Sequence, residues 1–439
     1  MPGTYCDVVV VDRLVQIDGA KTLQMMFHGG LPYAIDKSIN VGDVVAVFTP
    51  DSQISEEFAN ANDLIQRHDE ETGLRAGGFF AKNRKVRSIS LMKGKIRSVG
   101  YVATQKEFDY LGVDLRSLVG KSFNNIDGNE ICRKYVVPTN NRVSVNAYDR
   151  RRERRAYHPM TVGIPEHYDT KQFYRFAKDL QEGDLITITL KLDGTSVRVS
   201  NAYEIKQQFT WGERFFNWFV PIKAVTNKMK VGTRRVVLKD STETYYGNKS
   251  IYTDVGKMLD GMLHPGEAVY GEIVGWQNEE KPLFVRGGMK FLYGTKSGER
   301  DFYVYNIKWT LLDGSEIDLP WNKIKQRCVE LGVKHVPEMP NDFDPGKFDW
   351  NSKYWGSHFV YEGNLEKLER TVYDLVDGHD LIDPSHIREG VVLRVESVDG
   401  TTKFYKAKSE EFYALEDKSK NAGEVDMEES QEIAEEILL

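Results

Sequence analysis

The sequence predicts an α+β protein in which a small, mostly β domain precedes a larger mixed one. Three observations predict it. Short apolar runs bounded by turn residues recur through residues 1–138, a long alternating run opens at Leu185, and the clearest helical spacing comes later still. At 439 residues the chain is long enough for two or three domains, each burying its own core.

Asp7-Val-Val-Val-Val-Asp12 reads as a short apolar strand, and Asn40–Phe48 as another entered through a Gly-Asp turn. Ser52–Gly78 is polar and reads as helical or mobile. In Arg84–Arg97 basic residues are interleaved with Val86, Ile89, Leu91 and Ile96. Short strands with basic decoration on one side suit a small β-barrel of the OB type, a platform for nucleic acid; a solvated strand face reads equally well. Residues 139–160 read as a connector whose five arginines, Arg150 to Arg155 around Glu153, are either solvated or in contact with phosphates.

The second domain spans 161–415. Gln172–Leu180 is helix-like, and then alternation takes over from Leu185 to Val199, where two strands flanking Asp193-Gly194 signal a hairpin. Further strands are expected at Ala268–Val274, Phe302–Trp309 and Gly390–Val395. Helices are expected at Trp321–Leu331 and Leu365–Val376; in the latter Leu365, Leu368, Val372 and Leu375 share one face and Gly378 supplies a stop. Asn201–Met229, with Trp211, Phe215, Phe216 and Trp218, reads as an insertion whose aromatics are core or a base-stacking platform. Residues 416–439 form an acidic tail with Ile433, Ile437 and Leu438 at helical spacing.

A hydrophobic share of 40% with 28% charged residues is that of a soluble globular protein. The sequence has no run apolar enough to span a bilayer, and its first residues lack the basic start and apolar core of a secretion signal, so an intracellular, cytoplasmic or nuclear-type location is expected. Cys6, Cys132 and Cys328 are isolated, without metal-ligand spacing, and read as reduced thiols rather than a zinc site. The net charge of −7 is unsuited to nucleic acid at first sight, but the tail from Glu416 onward holds nine acidic residues and two lysines and so carries the whole excess. The balanced remainder leaves local basic patches free to meet phosphates.

The chemistry centres on Lys191-Leu-Asp-Gly194, a weak signal alone, since a hairpin turn produces the same letters. The motifs downstream of it, taken in order, strengthen it. Lys191-Leu-Asp-Gly-Thr-Ser196 resembles the nucleotidyl-transfer motif of the ligase and capping-enzyme superfamily. Val231-Gly-Thr-Arg-Arg235 resembles its second motif, with Arg234 the better match, and Val269–Gly275 resembles the strand bearing the ribose-binding glutamate, here Glu272. Asp301–Ile307 resembles the aromatic strand of the base pocket, Arg388-Glu-Gly-Val-Val392 the Glu-Gly-Val-Val motif, and Lys406-Ala-Lys408 the closing Lys-x-Lys motif.

The resemblance implies an ATP-grasp-like nucleotidyltransferase domain in which Lys191 attacks the α-phosphate of ATP. A lysine is a poor nucleophile while protonated, and Lys406 and Lys408 would favour the neutral amine and neutralise the phosphate. Asp193, Glu272 and Glu389 would hold Mg²⁺ or Mn²⁺ directly or through water. An aromatic of the 302–305 strand would stack on adenine. Strand alternation forbids both Phe302 and Tyr303 from doing so, and Phe302 is the expected one. With a β module before the lysine and about thirty residues after Ser409, the order resembles the Deinococcus-type RNA ligase family, with an N-terminal OB module. That implies a substrate of RNA, or RNA paired with DNA, with 3′-hydroxyl and 5′-phosphate ends, probed at the 2′-OH and sealed at nicks through a lysyl-AMP intermediate. Leu190 stands where members often carry Glu, and Tyr305-Asn306 where Phe-Asp is usual. A DNA ligase, a GTP-using capping guanylyltransferase and a non-catalytic RNA-binding protein with a relic pocket are the rival expectations.

Overall fold

A computed structural model describes residues 6–28, 31–50, 52–68, 75–91, 96–135, 160–165, 167, 170–205, 225–234, 237–238, 251–339 and 358–421. The arginine-rich connector, Arg235, the aromatics Trp211 to Trp218 and the acidic tail beyond 421 lie outside the described residues. The described residues divide into two compact units. One spans 6–135 and takes in 408–421; the other spans 160–407.

The first unit is built on a four-stranded antiparallel sheet in the order Tyr101–Ala103, Val44–Phe48, Cys6–Val10, Ser122–Phe123. The continuous run of Val44–Phe48 has a physical reason: both of its faces are covered. Ala46 and Phe48 enter one core with Cys6, Val8 and Phe58, whereas Val45 and Val47 enter a second with Met26, Tyr33 and Val99. Adjacent strand residues point to opposite sides, so only an all-apolar strand satisfies both. Leu14–Gln16, Leu23–His28 and Leu31–Asp36 form a separate three-stranded meander. Ile89–Leu91 pairs with Ile96–Ser98 as a two-stranded ribbon, joined to Leu31–Asp36 where the Ala34 amide donates to the Ser98 hydroxyl at 3.0 Å. The OB-type barrel expected from the sequence is not seen among the described residues, where no sheet closes on itself. The strands are two to six residues long and split into several small sheets, too short to sustain continuous pairing around a barrel. Ser52–Gly78, expected to be helical or mobile, holds the strand Ser52–Ile54 and the helix Glu56–Ala61, started by the Ser55 hydroxyl accepting from the Phe58 amide.

The second unit is mixed α+β and carries two sheets. A seven-stranded sheet runs Met160–Val162, Thr195–Ile205, Glu267–Gly275, Arg300–Thr310, Glu316–Asp318, with Val225–Gly232 on the second strand and Lys334–His335 on the fourth. A five-stranded sheet runs Lys171–Gln172, Thr402–Lys408, Gly390–Glu396, Leu185–Lys191, His358–Val360. The helices Trp321–Leu331 and Leu365–Val376 form where their periodicity requires. The first ends on the left-handed Gly332, and the second starts at Asn364 and buries Leu368, Val372 and Leu375.

The hairpin expected across Asp193-Gly194 does not form. Leu185–Lys191 pairs with Gly390–Glu396 in one sheet, whereas Thr195–Ile205 pairs with Glu267–Gly275 in the other. Leu192–Gly194 is therefore a crossing between sheets, and it places the end of one beside the middle of the other. Among the described residues no helix is long and apolar enough to cross a membrane. The cysteines are buried thiols, and burial pushes that of Cys328 up to about 12.

Candidate active site

Lys191 is the last residue of its strand, and the antiparallel register sets it opposite Gly390, with Glu389 alongside. The Lys191 Nζ lies 2.9 Å from the Glu389 carboxylate, which is 3% exposed. Neighbouring Arg388 is spent on structure. Its guanidinium donates to the carbonyls of Leu375, Asp377 and His379, tying the chain before Glu389 to the end of the preceding helix.

Glycine at 194 is needed because the crossing lies directly on the second sheet. A Cβ there would fall 2.5 Å from the Ile273 carbonyl oxygen and 2.6 Å from Glu272 Cγ. That approach sets Glu272 close to the Lys191 turn. The Ser196 hydroxyl donates to Glu272 at 3.1 Å. Burial pushes the Glu272 carboxyl up to about 8; Lys191 opposes the rise, as does Ser196, while Glu389 and Asp193 add to it. A cavity of about 150 Å³ opens here, and Lys191, Arg234, Glu272 and Lys406 all line it. Four of the expected site residues are thus brought together around one space, with Glu389 on Lys191.

Three others are placed differently. Phe302 pairs with Ile273 and sits on the sheet face opposite Glu272, because Glu272 pairs with Tyr303 and strand neighbours alternate. Its ring packs over Gly271, where an added Cβ would lie 2.3 Å from it. Phe302 is therefore core to the other side of the sheet, and Tyr305 is the strand aromatic that lines the cavity. Its hydroxyl meets His167 Nε2 at 2.6 Å. A β-bulge after Val304 helps to set it there. The Lys408 Nζ lies 3.3 Å from both Glu416 carboxylate oxygens and over the Phe412 ring.

Asp193 is the third. Arg286 donates to both of its oxygens at 2.9 Å, and the Asp193 amide donates to the Tyr293 hydroxyl at 2.6 Å. A carboxylate held in a bidentate ion pair has little capacity left to ligate a metal. Burial, with Asp193, Asp380 and Glu389 nearby, pushes the Tyr293 phenol well above its ordinary value, so it accepts as a neutral hydroxyl. Among the described residues no three His, Cys, Asp or Glu side chains gather as a metal cage.

Sequence reasoning misses His167, Tyr305, Arg286 and Tyr293 as site residues. The bulge that directs Tyr305 and the long-range approach of Arg286 leave no local signature; the aromatic strand itself is the one available signal.

Comparisons with known proteins bear on the family and the fold. A family model described as RNA ligase matches residues 184–408, slightly more than half of the chain. No curated protein sequence matches. Among solved structures, an RNA ligase mutant from Naegleria gruberi with ATP and Mn is similar over 94% of this chain and 99% of its own, with a TM-score of 0.57 and 19% identity. A second mutant of that ligase, with AMP and Mn, is similar over 95% of this chain and 100% of its own, with a TM-score of 0.57 and 18% identity. The Naegleria gruberi enzyme with PPi covers 93% of this chain and 98% of its own at a TM-score of 0.55 and 19% identity. At such identities the structural likeness speaks to the fold, and the family model speaks to membership: this chain belongs to the RNA ligase family.

Proposed function

We propose that the protein is an ATP-dependent RNA ligase that joins 3′-hydroxyl and 5′-phosphate ends, at nicks in a paired strand, through AMP carried on Lys191. The observation that carries this reading is the 2.9 Å contact between Lys191 and Glu389 at a cavity shared with Glu272, Arg234 and Lys406. In the first step the Lys191 amine attacks the α-phosphate of ATP, a P–N bond forms and pyrophosphate leaves. Glu389 orients the amine and lies within reach of its proton. Lys406 and Arg234 offset the charge on the phosphates, and Tyr305 offers a ring to the purine. The 5′-phosphate of one end then displaces lysine from the AMP, and the 3′-hydroxyl of the other end displaces AMP to close the strand.

Glu272 and Glu389 present two carboxylates near one space, and the raised affinity of Glu272 for its proton is what a cation beside it would relieve. These residues fit a hydrated Mg²⁺ or Mn²⁺, which keeps several waters and needs few protein ligands. The ion would draw charge from the α-phosphate and favour the neutral amine. The Naegleria structures with ATP or AMP and Mn support this choice of nucleotide and metal. The order of a β-rich unit before the lysine supports a Deinococcus-type member whose N-terminal unit contributes to nucleic-acid binding. Paired nicks with ribo- or deoxyribonucleotide 3′ ends, compared as substrates with ATP and with GTP, test the reading. Joining only with ATP and a ribonucleotide 3′ end is expected; GTP use or indifference to the sugar would overturn it.

A further inference from the structure

We propose that the hairpin and turn formed by residues 285–294 is a brace that holds Lys191 and Glu389 at their reactive separation, with Arg286 and Tyr293 as its positioning residues. The brace rests on the reading of Lys191 as the nucleophile.

One short segment reaches the chain beside each member of the pair, Asp193 just after Lys191 and Asp383 and His386 before Glu389. Val285–Arg286 and Met289–Lys290 pair across a turn made by Gly287 and Gly288, both with positive φ. On the Lys191 side, Arg286 grips both oxygens of Asp193 and Tyr293 accepts the Asp193 amide, so the residue two positions after the nucleophile is fixed through side chain and backbone alike. On the Glu389 side, the rings of Phe291 and Tyr293 pack on His386 with centroids 4.7 and 4.8 Å away. The Gly294 amide donates to Asp383 at 3.1 Å, and the His386 carbonyl accepts from the Asp380 amide at 3.0 Å. Residues 380–386, which lead into Glu389, are thereby tied to the same segment that holds Asp193.

The grip is made for precision. Arg286 is 12% exposed and lies over the Phe284 ring, which removes its freedom to swing. Tyr293 is a bulky residue at φ +52°, a conformation that is kept only where its surroundings enforce it. A buried ion pair stabilises a fold little better than an apolar filling would, so its distinctive contribution here is geometry.

The test measures AMP transfer from ATP onto the full chain in single turnovers, for the parent, Arg286→Ala, Arg286→Lys, Tyr293→Phe and Lys191→Ala, with thermal melts of each. Arg286→Ala and Tyr293→Phe should slow transfer at saturating ATP about ten- to a hundredfold, the effect of displacing reacting atoms by roughly an ångström. Their half-saturating ATP concentration should stay within about twofold, because neither residue is assigned a contact to nucleotide. Arg286→Lys, which keeps charge but loses the fork, should fall between. Tyr293→Phe keeps the ring packing, so it carries the test if Arg286→Ala fails to fold. Parent-like rates, or a raised ATP requirement at an unchanged maximal rate, would overturn the brace. Labelling of Lys191→Ala would instead remove the reading on which the brace rests.

Discussion

Exchanging the roles of two aromatics on one strand is the sharpest consequence of the register. Tyr305 lines the cavity with its hydroxyl on His167, while Phe302, 8% exposed, packs over Gly271 on the opposite face. Truncating Tyr305 to Ala removes a stacking surface worth about 1–3 kcal/mol per base. At about 1.4 kcal/mol per factor of ten, that raises the ATP concentration for half-maximal AMP transfer by about 5- to 150-fold. Tyr305→Phe loses only the hydrogen bond, about 0.5–1.5 kcal/mol, so its effect is smaller. Phe302→Ala leaves a hole in the core and costs about 3–5 kcal/mol of stability, with the ATP requirement of the folded fraction unchanged. The assay is labelling of the protein across a range of ATP concentrations, with a melt of each variant. A raised ATP requirement in Phe302→Ala and none in Tyr305→Ala would refute the assignment.

Gly271→Ala drives a methyl to 2.3 Å from the Phe302 ring and 2.7 Å from the Tyr303 carbonyl, so overpacking should cost about 1–3 kcal/mol in a denaturant melt. Glu272, raised from 4.5 to about 8, binds its proton more tightly when folded than unfolded. Its contribution therefore favours folding at low pH and is lost as pH rises from about 4.5 to about 8; melts without nucleotide or metal should show this decline, and Glu272→Gln should flatten it. Arg388→Met leaves the carbonyls of Leu375, Asp377 and His379 without their donor and should lower the melting temperature, whereas Lys403→Met, at a partly exposed ion pair with Asp399, should scarcely change it.

Helices and long strands of the second unit were legible because each has a local cause: apolar spacing in Trp321–Leu331 and Leu365–Val376, alternation in Leu185–Lys191. The convergence of Lys191, Glu272, Glu389 and Lys406 was legible from ordered motifs. The features that escaped depend on long-range pairing. Asp193-Gly194 has the letters of a hairpin, but the hydrogen bonds of its two strands go to different sheets. The bulge beside Tyr305 and the bidentate grip of Arg286, 93 positions from Asp193, exist only in three dimensions. The ion pair of Lys408 with Glu416 on the next helix is likewise a contact that the Lys-x-Lys letters do not announce. In the first unit the strand signals were real, but their shortness left separate sheets where a barrel was expected.

The central claim is that Lys191 is the residue that carries AMP. Incubation with a divalent metal and ATP labelled at the α-phosphate, then a denaturing gel and peptide mapping, tests it most directly. The expected result is a covalent label on the peptide containing Lys191, absent in Lys191→Ala and discharged from the parent by pyrophosphate. A label that persists in Lys191→Ala, or a folded parent that takes none, would contradict it.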